Sequence, residues 1–154
     1  MTTEILLGIA ADHRGFKLKQ DLLTGFRHLG IEMIDFGAST KKSDDDYPDY
    51  VFPMARAISN GNLKRGIAIC GSGVGASIAA NKIKNVRAAL IHDLFSARQG
   101  VEDDDMNIIC LGALLVTFPL AMELIQVFFK AQFLGEERQR RRLAKIAKVE
   151  KSWM

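Results

Sequence analysis

Short apolar runs alternate along this chain with stretches whose apolar residues recur every three or four positions. The runs Ile5–Ala10, Ile31–Phe36, Gly66–Cys70, Val86–Ile91 and Asn107–Leu111 read as strands. Helical periodicity fills the intervals at Phe16–Leu29, Tyr50–Asn60, Ala76–Ile83 and Leu94–Glu102, then returns in Thr117–Phe133 and Glu136–Lys151. Pro119 falls in a first turn, where its missing N–H is not needed. Such alternation predicts an α/β fold, a Rossmann-like three-layer α/β/α sandwich with a five-stranded parallel sheet. The expected strand order is the common 2-1-3-4-5.

Two stretches interrupt the pattern. Gly37–Asp49 is polar and holds Ser43-Asp44-Asp45-Asp46-Tyr47-Pro48-Asp49, a composition that favours turns. Leu134-Gly135-Glu136-Glu137 separates the last two helices and starts the second with acids, as the helix dipole prefers. With no internal repeat or interdomain linker, the 154 residues are expected to form one domain.

Composition narrows the class. About half the residues are apolar and a quarter charged, the balance of a globular protein. No run reaches the roughly 20 apolar residues of a membrane helix, and the amino terminus lacks a signal-peptide pattern. These point to a cytoplasmic protein that engages no membrane. The net charge of +3 does not imply a nucleic-acid partner, since most of the excess lies between Arg138 and Lys151. Cys70 and Cys110 both follow apolar runs, which suits reduced thiols better than a disulfide framework.

The chemistry concentrates where the third strand ends, in Cys70-Gly71-Ser72-Gly73-Val74-Gly75. Glycines bare the main chain to a ligand, and successive N–H groups entering a helix can hold an anion. Ligands of open α/β sheets bind where the strand order reverses. That point brings Asp12 and His13, after the first strand, opposite Cys70. Taken alone, Asp12 is a helix cap, His13 a surface residue and Cys70 a small core residue. A nucleotide site competes, with Asp93 as its ribose-binding acid, but Gly71-x-Gly73-x-Gly75 lacks the dinucleotide spacing. The acid runs at residues 44–46 and 103–105 read as solvated loops. The scattered His13, His28 and His92 offer no metal-ligand spacing, so no metal is expected.

Together these pieces resemble the ribose-5-phosphate isomerase B group, which includes the subunits of galactose-6-phosphate isomerase. The resemblance rests on Asp12-His13-x-Gly15, Asp35-Phe36-Gly37, Asp46-Tyr47-Pro48, Cys70 through Gly75, Ala79-Ala80-Asn81-Lys82, Val86-Arg87-Ala88, Ser96-Ala97, Asn107, Leu111-Gly112, Arg138 and Arg142. It implies metal-free, cofactor-free interconversion of aldose and ketose phosphates through an enediol. Cys70 would be the base, the Gly71, Gly73, Val74 and Gly75 main chain the enediolate cradle, and Ser72 the group that moves a proton between O1 and O2. Asp12, His13 and Tyr47 would hold the sugar, and Arg138 and Arg142 on helix 136–151 would grip the phosphate. The resemblance also implies a homodimer or homotetramer with pockets completed by a neighbouring chain. A noncatalytic partner subunit is the alternative.

Departures from the family pattern stand beside the matches. Asp103 occupies the place of the ring-opening histidine, with Asp104 beside it against the substrate. Leu114 replaces a phosphate-binding arginine, and Gln139 replaces a histidine. A tetrose 4-phosphate, whose C4 oxygen carries the phosphate, closes no furanose ring and needs no ring-opening acid. Alternatively, Asp103 itself supplies that proton.

Overall fold

The computed structural model describes residues 6–153, so the predicted strand start at Ile5 lies outside the described residues. Five strands, β1 (Leu7–Ala11), β2 (Met33–Asp35), β3 (Arg65–Cys70), β4 (Ala88–Leu90) and β5 (Ile108–Gly112), form one sheet. All pairs are parallel. The helices are α1 (Phe16–His28), α2 (Pro48–Ser59), α3 (Val74–Ala80), α4 (Leu94–Asp104), α5 (Phe118–Lys130) and α6 (Glu137–Lys151). Among the described residues, every predicted element is present. Helix α2 starts two residues earlier than expected because Pro48 takes its first position, where a proline fits.

The strand order corrects the expectation. It is β2-β1-β3-β5-β4, with β5 beside β3 and β4 at the edge. Burial explains the exchange: β5 is an unbroken apolar strand buried throughout, whereas the three residues of β4 are partly open. The reversal between β1 and β3 survives.

Alternation across the sheet puts most of the large strand side chains on one face, Ile108 being an exception. Ile9, Ile67, Ile69, Ile109 and Leu111 point towards α1, α4 and α5. Ala10, Ala68, Cys70 and Cys110 point the other way, towards α2 and α3. The small face lets α2 approach so closely that a Cβ on Gly66 would lie 2.9 Å from Met54 Sδ. Cys70 therefore emerges on the tight side, beneath the amino ends of α2 and α3.

Candidate active site

Three segments meet beyond the carboxyl ends of β1 and β3. Cys70 is buried at 4% exposure, and the Gly73 N–H donates to its Sγ at 3.2 Å. Gly73 has a φ of +81°, the left-handed region where a side chain is strained. The Val74 N–H donates to Ser72 Oγ at 3.3 Å, and Ser72 is exposed at the mouth. Tyr47, the residue that caps α2, lies over Gly75: a Cβ there would come within 2.8 Å of its hydroxyl oxygen. The Arg14 side chain lies over Gly71, its Nη1 3.3 Å from where a Cβ would stand.

The turn after β1 supplies the facing wall. Asp12 is buried, and its Oδ1 accepts the N–H groups of Arg14 and Gly15 at 3.0 and 3.2 Å. Asp12 thus closes the turn that leads into α1 and does not cap the helix itself, whose cap position is Gly15, without a side-chain cap. His13 Nδ1 lies 2.6 Å from Asp45 Oδ1, which also accepts the His13 N–H at 2.9 Å. The Asp45 side chain is only 5% exposed, and its Oδ2 makes no hydrogen bond. Its acid run is therefore not a uniformly solvated loop.

Burial alone would raise the pKa of Asp45, but the two hydrogen bonds from His13, helped by the nearness of the Tyr50 hydroxyl, outweigh it and hold the carboxyl below its ordinary 3.8. Tyr50 moves upward through desolvation and the charge of Asp45. A depressed carboxyl stabilises the fold fully above its unfolded value and loses that contribution as the pH falls through its folded value. Asp45→Asn is thus expected to flatten the decline in Tm below about pH 4, checked by thermal melts between pH 2 and 6.

The remaining predicted residues stand elsewhere in the chain. Helix α4 starts at the carboxyl edge of the sheet and runs back, so Asp103 and Asp104 in its last turn lie towards the amino edge, away from Cys70. They are helical residues, which corrects the loop expectation. Asp103 Oδ1 accepts from Gln139 Nε2 and Oδ2 from Gln99 Nε2, each at 2.8 Å. Gln139 is buried at 1% exposure and closes the capping box of α6 through Glu136. Two of the departures from the family pattern are thus in contact with each other. Arg138 and Arg142 are exposed on α6, and among the described residues no polar contact joins them to the Cys70 segment. Asp104 borders a groove between α6 and β4.

Other candidates resolve into structure. Asp93 caps α4, its Oδ1 accepting from Ser96 N at 2.7 Å, which removes the acid suggested for a ribose. Cys110 is fully buried, and burial pushes its thiol far up, an inert core residue. The sequence pattern does not single out Asp45 or Arg14. Nothing in the pattern separates Asp45 from Asp44 or Asp46, because its burial depends on His13, 32 positions away.

The sequence profile of the ribose/galactose isomerase family matches residues 7–146. Ribose-5-phosphate isomerase B of Clostridium thermocellum is 39% identical and superimposes with a TM-score of 0.91, covering 96% of this chain and 99% of its own. The Mycoplasma genitalium enzyme of that name, with bound ribulose-5-phosphate, is 36% identical with a TM-score of 0.88 over 94% and 95% of the two chains. D-erythrulose-4-phosphate isomerase of Pectobacterium atrosepticum is 33% identical over 84% of this chain and 85% of its own.

Proposed function

Because the chain belongs to the ribose/galactose isomerase family, we propose that it interconverts ribose 5-phosphate and ribulose 5-phosphate through an enediolate at Cys70. The observation that carries this reading is Cys70 at the sheet reversal, with the Gly73 N–H already aimed at its sulfur. As thiolate, Cys70 takes the proton from C2 of the open aldose, and the electron pair moves through the new C1–C2 double bond onto O1. Main-chain N–H groups of Gly71, Gly73, Val74 and Gly75 stabilise that oxygen. Ser72 passes a proton from O2 to O1, and Cys70 returns its proton to C1, leaving the ketose. Asp12, His13 and Tyr47 hold sugar hydroxyls. The scheme draws on no metal or cofactor.

A second copy completes the site. Arg138, Arg142, Asp103 and Asp104 lie away from Cys70 in one chain, so their part in binding is taken at a neighbour's pocket in a homodimer, or in a homotetramer built from it. Supporting this assembly, the segments that follow β3, β4 and β5 carry exposed apolar side chains, Val74, Ile78, Leu94, Phe95, Leu114 and Leu115. Arg138 and Arg142, four positions apart on α6, suit a phosphate dianion. A reducing cytoplasm keeps Cys70 a thiol.

One observation favours tetrose phosphates as a second substrate class. Both oxygens of Asp103 are occupied by glutamine amides, which leaves it poorly placed to open a ring. Assays of the purified protein on aldose phosphates of four to six carbons decide between the classes. The expected result is turnover of ribose 5-phosphate; turnover of erythrose 4-phosphate alone selects the second class, and none on any contradicts both.

A further inference from the structure

An aldopentose 5-phosphate is a cyclic hemiacetal in solution, so isomerisation requires that O1 lose a proton and the ring oxygen O4 gain one. This need rests on the pentose phosphate reading above. Asp103 has both oxygens engaged, whereas the Asp45–His13 pair stands beside Asp12 in the turn after β1, the strand that pairs with β3 and its Cys70. The carboxylates of Asp12 and Asp45 and a ring nitrogen of His13 lie within 4.8 Å of one another.

We propose that Asp45 and His13 form a ring-opening dyad, with His13 the catalytic residue that moves the proton and Asp45 the residue that positions it. A carboxylate oxygen only accepts, so the 2.6 Å contact puts a hydrogen on His13 Nδ1 and leaves the lone pair of the neutral ring on Nε2. Nε2 has no hydrogen-bond partner among the described residues, and the side chain is 23% exposed. The same arrangement prepares the imidazole of a serine protease to take a hydroxyl proton. Here the hydroxyl is O1–H of the sugar. Nε2 takes its proton, the O1 pair forms the C1=O1 double bond, the C1–O4 bond breaks, and O4 takes the proton back from Nε2. Both oxygens are attached to C1, so one nitrogen serves both and no outside acid is consumed. Because Asp45 Oδ1 also holds the His13 N–H, the ring and its main chain are fixed together.

Ring opening is read apart from isomerisation in Cys70→Ala protein, through magnetisation transfer between the α and β anomers of 1-13C ribose 5-phosphate. The expected result is that this variant accelerates anomer exchange, and that adding Asp45→Asn lowers the acceleration at least tenfold. Adding His13→Asn, which leaves the Asp45 bond to the main chain intact, is expected to abolish it. In 15N spectra the proposal requires a protonated Nδ1 and a bare Nε2 in the neutral ring of His13. The reverse tautomer overturns it. So does unchanged exchange in either double variant, or a Cys70→Ala protein that binds ribose 5-phosphate without accelerating exchange. Wild-type turnover of ribose 5-phosphate alongside those results would leave the isomerase reading standing while the dyad fell; absent turnover of every sugar phosphate would remove both.

Discussion

Cys70→Ala is expected to lower kcat for aldose–ketose isomerisation by about 10²- to 10⁴-fold, the usual contribution of a positioned base. KM should change little, because the sulfur acts on a carbon-bound proton and the hydroxyls and phosphate are held by other groups. The substitution removes one sulfur from the small face of the sheet, next to Ala10 and Ala68, so thermal melts should show a folded variant. Steady-state kinetics on ribose 5-phosphate check this, and wild-type kcat in the variant would remove Cys70 from the chemistry.

Gly73→Ala is expected to be nearly as damaging by a different route. At φ +81° a Cβ is strained, and it would stand 2.5 Å from Leu90 Cδ1 and 2.9 Å from the main-chain carbon of Leu111. The loop must move off β5, taking with it the N–H that points at Cys70 and the support for the enediolate. Losing one oxyanion donor costs about 10²- to 10³-fold in kcat. Strain at the turn should also lower stability by about 1–3 kcal/mol, read from urea unfolding. A variant with wild-type activity and Tm would mean that the loop holds nothing in the transition state.

These two positions also show how far the amino-acid sequence alone makes the site legible. An apolar run ending in cysteine and alternating glycines fixes a buried strand, a turn and a helix start by local physics, so the Cys70 loop and its sheet were legible. The order of β4 and β5 was less so. The clue was present in Ile108-Ile109-Cys110-Leu111, an apolar run that demands cover on both faces, but the pattern of elements does not say which strand takes the centre.

Asp45 was hidden for a stronger reason. Its environment is made by His13 from another part of the chain, and three adjacent aspartates look alike until the fold buries one. Asp103 illustrates the opposite case. Its identity marked it as a departure from the family pattern, yet only the fold shows that Gln139, the other departure, holds it. The proposed dyad accordingly puts ring opening in the turn after β1 and not at the far end of α4. In the proposed assembly, with Leu114 in the place of an arginine, the exposed Arg138 and Arg142 of a neighbouring copy carry the phosphate.

Everything in this account turns on a proton that leaves carbon and returns to the neighbouring carbon by way of Cys70. Following the C2 hydrogen of ribose 5-phosphate by 1H NMR in deuterium oxide, with wild-type protein, reads that step directly. Deuterium is expected to enter C2 of the aldose at equilibrium and C1 of the ketose, and both are expected to slow by about 10²- to 10⁴-fold in Cys70→Ala. Conversion and deuterium entry that continue at the wild-type rate in Cys70→Ala would contradict it.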